Sequence, residues 1–204
     1  MVGKYMKRFL AAFILPLLAP LTVAAPQTVH SMQAASAPTS QRLKWTEADK
    51  NALLTKAQRG DVGAQSWLGA AYEQGWFGKA DFHEALKWLR RAAKHGNADA
   101  QNELGQMYQD GEGVPQNYVQ AAKWYRMAAE HVPDFGGAGQ GRNNLGLLYL
   151  DGLGVPKDYV QAYMWFRLTN SETNLSYAKA RMTPAEILGA ERMAAEWKAS
   201  HPER

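Results

Sequence analysis

The side chains that could do chemistry in this 204-residue chain are few and dispersed. There is no cysteine, which removes thiol nucleophiles, disulfides, thiolate metal sites and a lipid-modified cysteine at a mature amino terminus. His83-Glu84 opens the His-Glu-x-x-His signature of a zinc protease, but Lys87 stands where the second metal-binding histidine is needed. The five histidines do not cluster in the sequence, so no metal is expected. Glycoside hydrolysis requires two carboxyls facing each other across a cleft, and Glu73 and Glu103 could face one groove. Charged residues in such a place are more often partner contacts or solvated surface. The glycine-rich run Gly136, Gly137, Gly139 and Gly141 could cradle phosphate ahead of a helix. It lacks the preceding strand and the following Lys-Ser or Lys-Thr, and is read as a long loop that changes a packing angle. No catalytic residue, cofactor or metal ligand is therefore assigned, and the chain is not expected to be an enzyme.

The formal charge of +4 and pI near 9.2 suggest nucleic acid only until the charges are located. Lys4, Lys7 and Arg8 lie in a leader without acids, and the remainder carries 20 basic and 19 acidic residues. Backbone binding needs a concentrated basic surface, so no nucleic-acid partner is expected. Lys87, Arg90, Arg91 and Lys94 fall on the outer face of one helix and read as solvated, with an acidic partner or an envelope polymer as the alternative.

Residues 1–24 read as a signal peptide: a basic start, an apolar run from Phe9 to Val23, then small residues before a cut. The run is shorter than the roughly 20 apolar residues of a membrane span and is broken by Pro16 and Pro20, so no stable span is expected after processing. Residues 25–44, rich in Ala, Ser, Thr, Gln and Pro, cannot bury enough surface to offset chain entropy and are read as a disordered linker. The expected location is periplasmic or secreted.

What could position a binding surface is a repeat. Asn97 to Val132 recurs in front of itself at a spacing of 36 residues and behind itself at 41. Such a period signals a stack of one supersecondary unit. The predicted array covers 45–170, as a half repeat 45–60 opened by the N-cap Thr46, then repeats 61–96, 97–137 and 138–170. A capping segment, 171–204, follows. In the first helix of each repeat Ala64, Leu68, Ala71 and Tyr72 follow one helical face and recur as Ala100, Leu104, Met107 and Tyr108; the third copy keeps Leu145, Leu148 and Tyr149. The second helices bury Ala85, Trp88, Leu89 and Ala92, and their counterparts around Trp124 and Trp165. Gly69, Gly105 and Gly146 sit inside first helices, where glycine costs about 1 kcal/mol against alanine. The expected compensation is close approach of the partner helix at Ala85, Ala121 and Ala162. Gly75, Gly111 and Gly152 end the first helices, and Asp81, Asn117 and Asp158 cap the second. Gly-Val-Pro fills the turn in repeats two and three; the first carries Trp76-Phe77 there, two aromatics expected to be exposed.

The pattern Ala-Gln-x-x-Leu-Gly-x-x-Tyr-x-x-Gly, then Gly-Val-Pro, then Ala-x-x-Trp-x-x-x-Ala resembles the Sel-one-like repeat family, relatives of tetratricopeptide repeats. The resemblance covers about residues 46–170. It implies an all-α fold, a right-handed α-solenoid of antiparallel helix pairs, and an adaptor role in assemblies. Thr183-Pro-Ala-Glu186 forms a capping box that opens a terminal helix through Trp197, a lid of the kind an open-ended array requires.

Columns that the packing leaves free are Ser66, Trp67, Ala70 and Glu73, then Asn102, Glu103, Gln106 and Gln109, then Asn143, Leu147 and Leu150. The resemblance places first helices on the concave side, so these residues would line one groove for a protein or peptide partner, with Trp67 as anchor. Leu147 and Leu150 break the polar trend, and the segment from Ser171 to Arg181 is expected to fold over them. The reading is an exported protein–protein interaction scaffold. Alternatives of other classes are a cell-wall hydrolase or β-lactam-interacting protein, and a structural component of an envelope complex such as a motor or polysaccharide exporter.

Overall fold

The computed structural model describes residues 45–132, 136–169 and 171–202. The chain divides into Met1–Arg42 and Leu43–Arg204, and every described residue lies in the second unit. The predicted leader 1–24 and linker 25–44 lie outside the described residues. Among those residues there are helices and no strands: α1 Glu47–Gln58, α2 Val62–Glu73, α3 Phe82–Lys94, α4 Ala98–Asp110, α5 Tyr118–Ala129, α6 Gly137–Asp151, α7 Tyr159–Thr169, α8 Glu172–Lys179 and α9 Pro184–Ser200.

Local chemistry sets most of these boundaries. Thr46 and Asp49 form a capping box at α1, and Thr183 and Glu186 form another at α9 with Pro184 in the first turn. Asp61 and Asn97 each accept a 2.8 Å hydrogen bond from the third backbone N–H of their helix, at Ala64 and Ala100. Asp81, Asn117 and Asp158 hold the starts of α3, α5 and α7 through the same kind of bond. At the other end, Gly111 (φ 74°) and Gly152 (φ 76°) take the left-handed conformation that closes α4 and α6.

The helices form an α-solenoid of antiparallel pairs, α2 with α3, α4 with α5 and α6 with α7. Each second helix also leans on the next first helix, α3 on α4 and α5 on α6, while α9 takes that place against α7. The buried residues are those of the repeat columns: Leu68, Leu89, Leu104, Met107, Tyr125, Leu145 and Phe166 are at 0% exposure. Trp88 and Trp165 are buried, whereas Trp124 is half-buried against the α3/α4 core.

Two expectations are corrected by this packing. The bare glycines do let the partner helix close in, but the atoms nearest each missing Cβ belong to larger residues than the alanines. A Cβ at Gly69 would lie 2.5 Å from the Leu89 side chain, at Gly105 2.5 Å from the Tyr125 ring, and at Gly146 2.6 Å from Phe166. Glycine is required so that a large side chain of the second helix can lie flat across the first. The glycine-rich run is also less of a loop than expected, because α6 begins at Gly137 and includes Gly139 and Gly141. Its first turn presses on α4: a Cβ at Gly137 would collide with the backbone of Ala98 and Asp99.

Candidate partner-binding face

The face proposed for binding is built on α2, α4 and α6, and packing has already claimed several of its residues. Ser66, Glu73 and Leu150 are buried, and Asn102 is at 0% exposure. Ser66, Glu73 and Asn102 are corrected from free positions to internal ones, while Leu150 is internal because α8 lies in its cluster. Asn102 is committed to the next repeat: its amide donates to Gln140 (2.9 Å) and its carbonyl accepts from Asn144 (3.0 Å). Gln109, half-buried, accepts from the Tyr125 hydroxyl at 3.1 Å. Ala70, Glu103 and Gln106 are half-buried, and Trp67 is exposed at 49%.

Trp67 belongs to an aromatic group that the sequence did not assemble. Its ring meets Trp76 at 6.1 Å; Trp76 stacks on Trp45 at 5.6 Å, and Phe77 meets Trp45 and Tyr72 edge-on. Lys50 lies 5.4 Å over Phe77. Trp76 and Phe77 are therefore half-buried rather than exposed: the loop lacking proline packs against α1 and Trp45. The outer edge of this group is Trp67.

In the third repeat α8 covers the face. Leu175 and Ala178 join Leu150, Tyr163, Phe166 and Ala190 in one buried cluster with Leu147 at its edge, and Asn174 donates to Asn143 at 2.9 Å. The expected folding-over of this segment is what the structure contains.

Two columns that hold the repeats together were missed. Gln65 and Gln101 donate from their side chains to the carbonyls of Ala57 and Ala93, the last buried turn of the preceding second helix. In the third copy Arg142 replaces glutamine and donates to Ala129 (2.8 Å) and His131 (2.5 Å). The second column is arginine to the next element: Arg90 to the Tyr108 hydroxyl, Arg126 to Tyr149, and Arg167 to Glu191 of α9. The Ala-Gln motif and the 36-residue interval between Arg90 and Arg126 were the available signals.

The residues tested for chemistry scatter. Gly137 N–H donates to Asp99 at 2.6 Å, so a carboxylate of this chain stands at the start of α6 where phosphate would sit. His83 and His95 are exposed, and His131 contacts Gln101 at 3.1 Å. Glu84 is held below the usual carboxylate range, chiefly by its hydrogen bond from Lys87. Among the described residues no group of three His, Asp or Glu could hold a metal, and no helix is long and apolar enough to cross a membrane. The expected absence of a Ser-x-x-Lys pair, the spacing of penicillin-recognising enzymes, is corrected: Ser176 and Lys179 have it. Both are exposed on α8. Lys87, Arg90, Arg91 and Lys94 are exposed as expected, with Arg91 lying 4.8 Å over Trp88.

The model of the Sel1 repeat matches the chain three times, over residues 62–97, 98–131 and 140–169. Among solved structures, the chain is similar to a protective antigen of uropathogenic Escherichia coli that displays an SLR fold. The two are 32% identical with a TM-score of 0.68, over 78% of this chain and 34% of that one. It is also similar to a Sel1 repeat protein from Oxalobacter formigenes, 31% identical with a TM-score of 0.54, over 61% of this chain and 49% of the other. The chain thus spans about a third and about half of these two proteins. No curated protein matches it.

Proposed function

The chain belongs to the Sel1 repeat family, and from that premise we propose that it is an exported adaptor which holds a protein or peptide partner against α2 and α4. Sel1 repeat proteins generally mediate protein–protein interaction and are typically non-catalytic scaffolds. The observation that supports the finer reading is Trp67, a large ring left 49% exposed on α2, with Ala70 on the same helix and Glu103 and Gln106 on α4 half-buried. Aromatic side chains in such settings dominate binding energy, while their polar neighbours exclude water and fix register. Export rests on the leader, residues 1–24, and the mechanism is rigid presentation of a surface without a chemical step.

Crosslinking in cells followed by mass spectrometry identifies the partner. Trp67→Ala is then expected to weaken its binding on the order of tenfold or more, and Gln106→Ala by a smaller factor. Unchanged affinity in both variants moves the site elsewhere. Turnover of muropeptides or of a chromogenic β-lactam by the purified chain would replace the adaptor with a hydrolase. Intact mass of protein from the exported fraction tests processing, and a mass that includes residues 1–24 refutes it.

A further inference from the structure

The third repeat presents Asn143, Leu147 and Leu150 in the columns that hold Asn102, Gln106 and Gln109 in the second and Ser66, Ala70 and Glu73 in the first. Its two leucines make it the one apolar segment of that row. The occupant of this segment, α8, is not a repeat element. It is eight residues long, its N-cap Ser171 makes no side-chain capping bond, and only Leu175 and Ala178 are buried. Tyr177 is left 49% exposed on its far side. One side-chain hydrogen bond, Asn174 to Asn143, ties it to α6. A helix this short has little stability of its own, so α8 is held by that bond, by packing that falls mainly on α7, and by its covalent links to α7 and α9.

We propose that the Asn143–Leu147–Leu150 row of α6, together with Tyr163 and Phe166 of α7, is a helix-docking site whose resident ligand is α8, and that a partner helix of the same pattern replaces it. The partner presents asparagine, a leucine one position later and a small residue three further on, as Asn174, Leu175 and Ala178 do. The seated segment defines the chemistry of its competitor: the asparagine pairs with the Asn143 amide, and the leucine and the small residue enter the cluster of Leu150, Tyr163 and Phe166. Tethering gives α8 an effective concentration of about the millimolar range, so a free helix enters only after α8 has opened locally. The site is separate from Trp67 and does not depend on the partner assigned to α2 and α4.

The test uses the full chain and a fluorescein-labelled synthetic peptide of residues 171–182. Amide exchange in the unmodified protein is expected to be at least tenfold faster in α8 than in α7 and α9. Leu175→Asp, which releases α8, is expected to bind the peptide at least tenfold more tightly than the unmodified chain by fluorescence anisotropy. Adding Leu147→Asp to that variant is expected to return binding to the starting level. A peptide with alanine at the Asn174 position and aspartate at the Leu175 position is expected to bind at least tenfold more weakly than the parent peptide. The proposal is overturned if α8 exchanges in step with α7 and α9, if the peptide binds the released and unmodified proteins equally, or if both peptides bind equally. Should Leu175→Asp lose its helical circular dichroism, Asn174→Ala replaces it, and the exchange comparison on the unmodified chain decides without any variant.

Discussion

Single glycines in this molecule separate into those that the packing demands and those that it does not. Gly105 is inside α4, where an alanine would gain up to about 1 kcal/mol of helix propensity. Its Cβ, however, would stand 2.5 Å from the ring of Tyr125, which is at 0% exposure and hydrogen-bonded to Gln109. Overpacking a site whose neighbour cannot swing away costs about 1–3 kcal/mol, so the clash wins. Gly105→Ala is expected to lower the urea midpoint by the equivalent of about 1–2 kcal/mol. Gly189 in α9 gives the opposite sign, since a Cβ there meets nothing within 4 Å. Gly189→Ala is expected to raise stability by about 0.5–1 kcal/mol. Stabilisation by both substitutions in parallel urea titrations would show that propensity, not the Tyr125 contact, decides the sign at Gly105. The sequence revealed that Gly105 is special, because glycine inside a helix asks for an explanation, but not which neighbour explains it. That neighbour is another residue of the same repeat unit, and periodicity alone cannot rank Ala121 against Tyr125 when both recur in register.

At the level of elements, α9 replaces a fourth first helix, and its attachment is electrostatic as well as apolar. Glu191 accepts from the Tyr163 hydroxyl (2.7 Å) and from Arg167 (2.9 Å), completing the column in which Arg90 and Arg126 reach tyrosines. The Tyr163 hydroxyl, with Arg167 beside it, holds Glu191 below the ordinary carboxylate range; burial, with Glu191 adjacent, pushes Tyr163 up to about 12. A depressed carboxylate means that the unfolded chain binds the extra proton in acid, so this stabilisation is present above about pH 4 and lost as pH falls through the folded value. A raised phenol means that the folded chain keeps its proton longer, so that contribution is complete below about pH 10 and lost as pH climbs toward 12. Thermal midpoints are expected to be level between these limits and to fall outside them. Because Arg167 and Glu191 are about 40% exposed, Glu191→Gln is expected to cost only about 0.5–1 kcal/mol at neutral pH. It should also flatten the acid limb; an unaltered acid limb in Glu191→Gln would assign that limb to other carboxylates. This element was legible at its start, through Thr183-Pro-Ala-Glu186, and silent at its contact, because Glu191 stands in a tyrosine column without resembling tyrosine. The aromatic group around Trp76 was silent for the same reason, since Trp45 lies before the first repeat and has no copy to be compared with.

Across the described unit, contacts run from one helix to its neighbours, and stability should be graded in the same way. At one end α1 has Ala57 as its only buried residue and packs mainly on α2, with the Trp76-Phe77 loop beside it. Toward the other end Arg142 joins three parts: it belongs to α6, donates to Ala129 and His131 at the close of the second repeat, and lies 4.4 Å under the ring of Trp197 in α9. Its side chain is at 1% exposure, so truncation leaves buried carbonyls unsatisfied and a gap against the cap. Arg142→Ala is therefore expected to cost about 3 kcal/mol, against about 1 kcal/mol for Gln65→Ala, which removes one neutral hydrogen bond. Location matters as much as size. In a chain of nearest-neighbour contacts the loss should stay near its origin, so amide exchange in Arg142→Ala is expected to accelerate through α6, α7 and α9 while α2 and α3 keep their rates. Glutamine at position 142 can reach the Ala129 carbonyl as Gln65 and Gln101 reach theirs, but cannot cover Trp197. Arg142→Gln should then restore exchange rates in α6 and leave α9 fast. Uniform acceleration of every helix in either variant would mean that the unit unfolds as a single cooperative block and that its repeats are similar in sequence without being independent in stability.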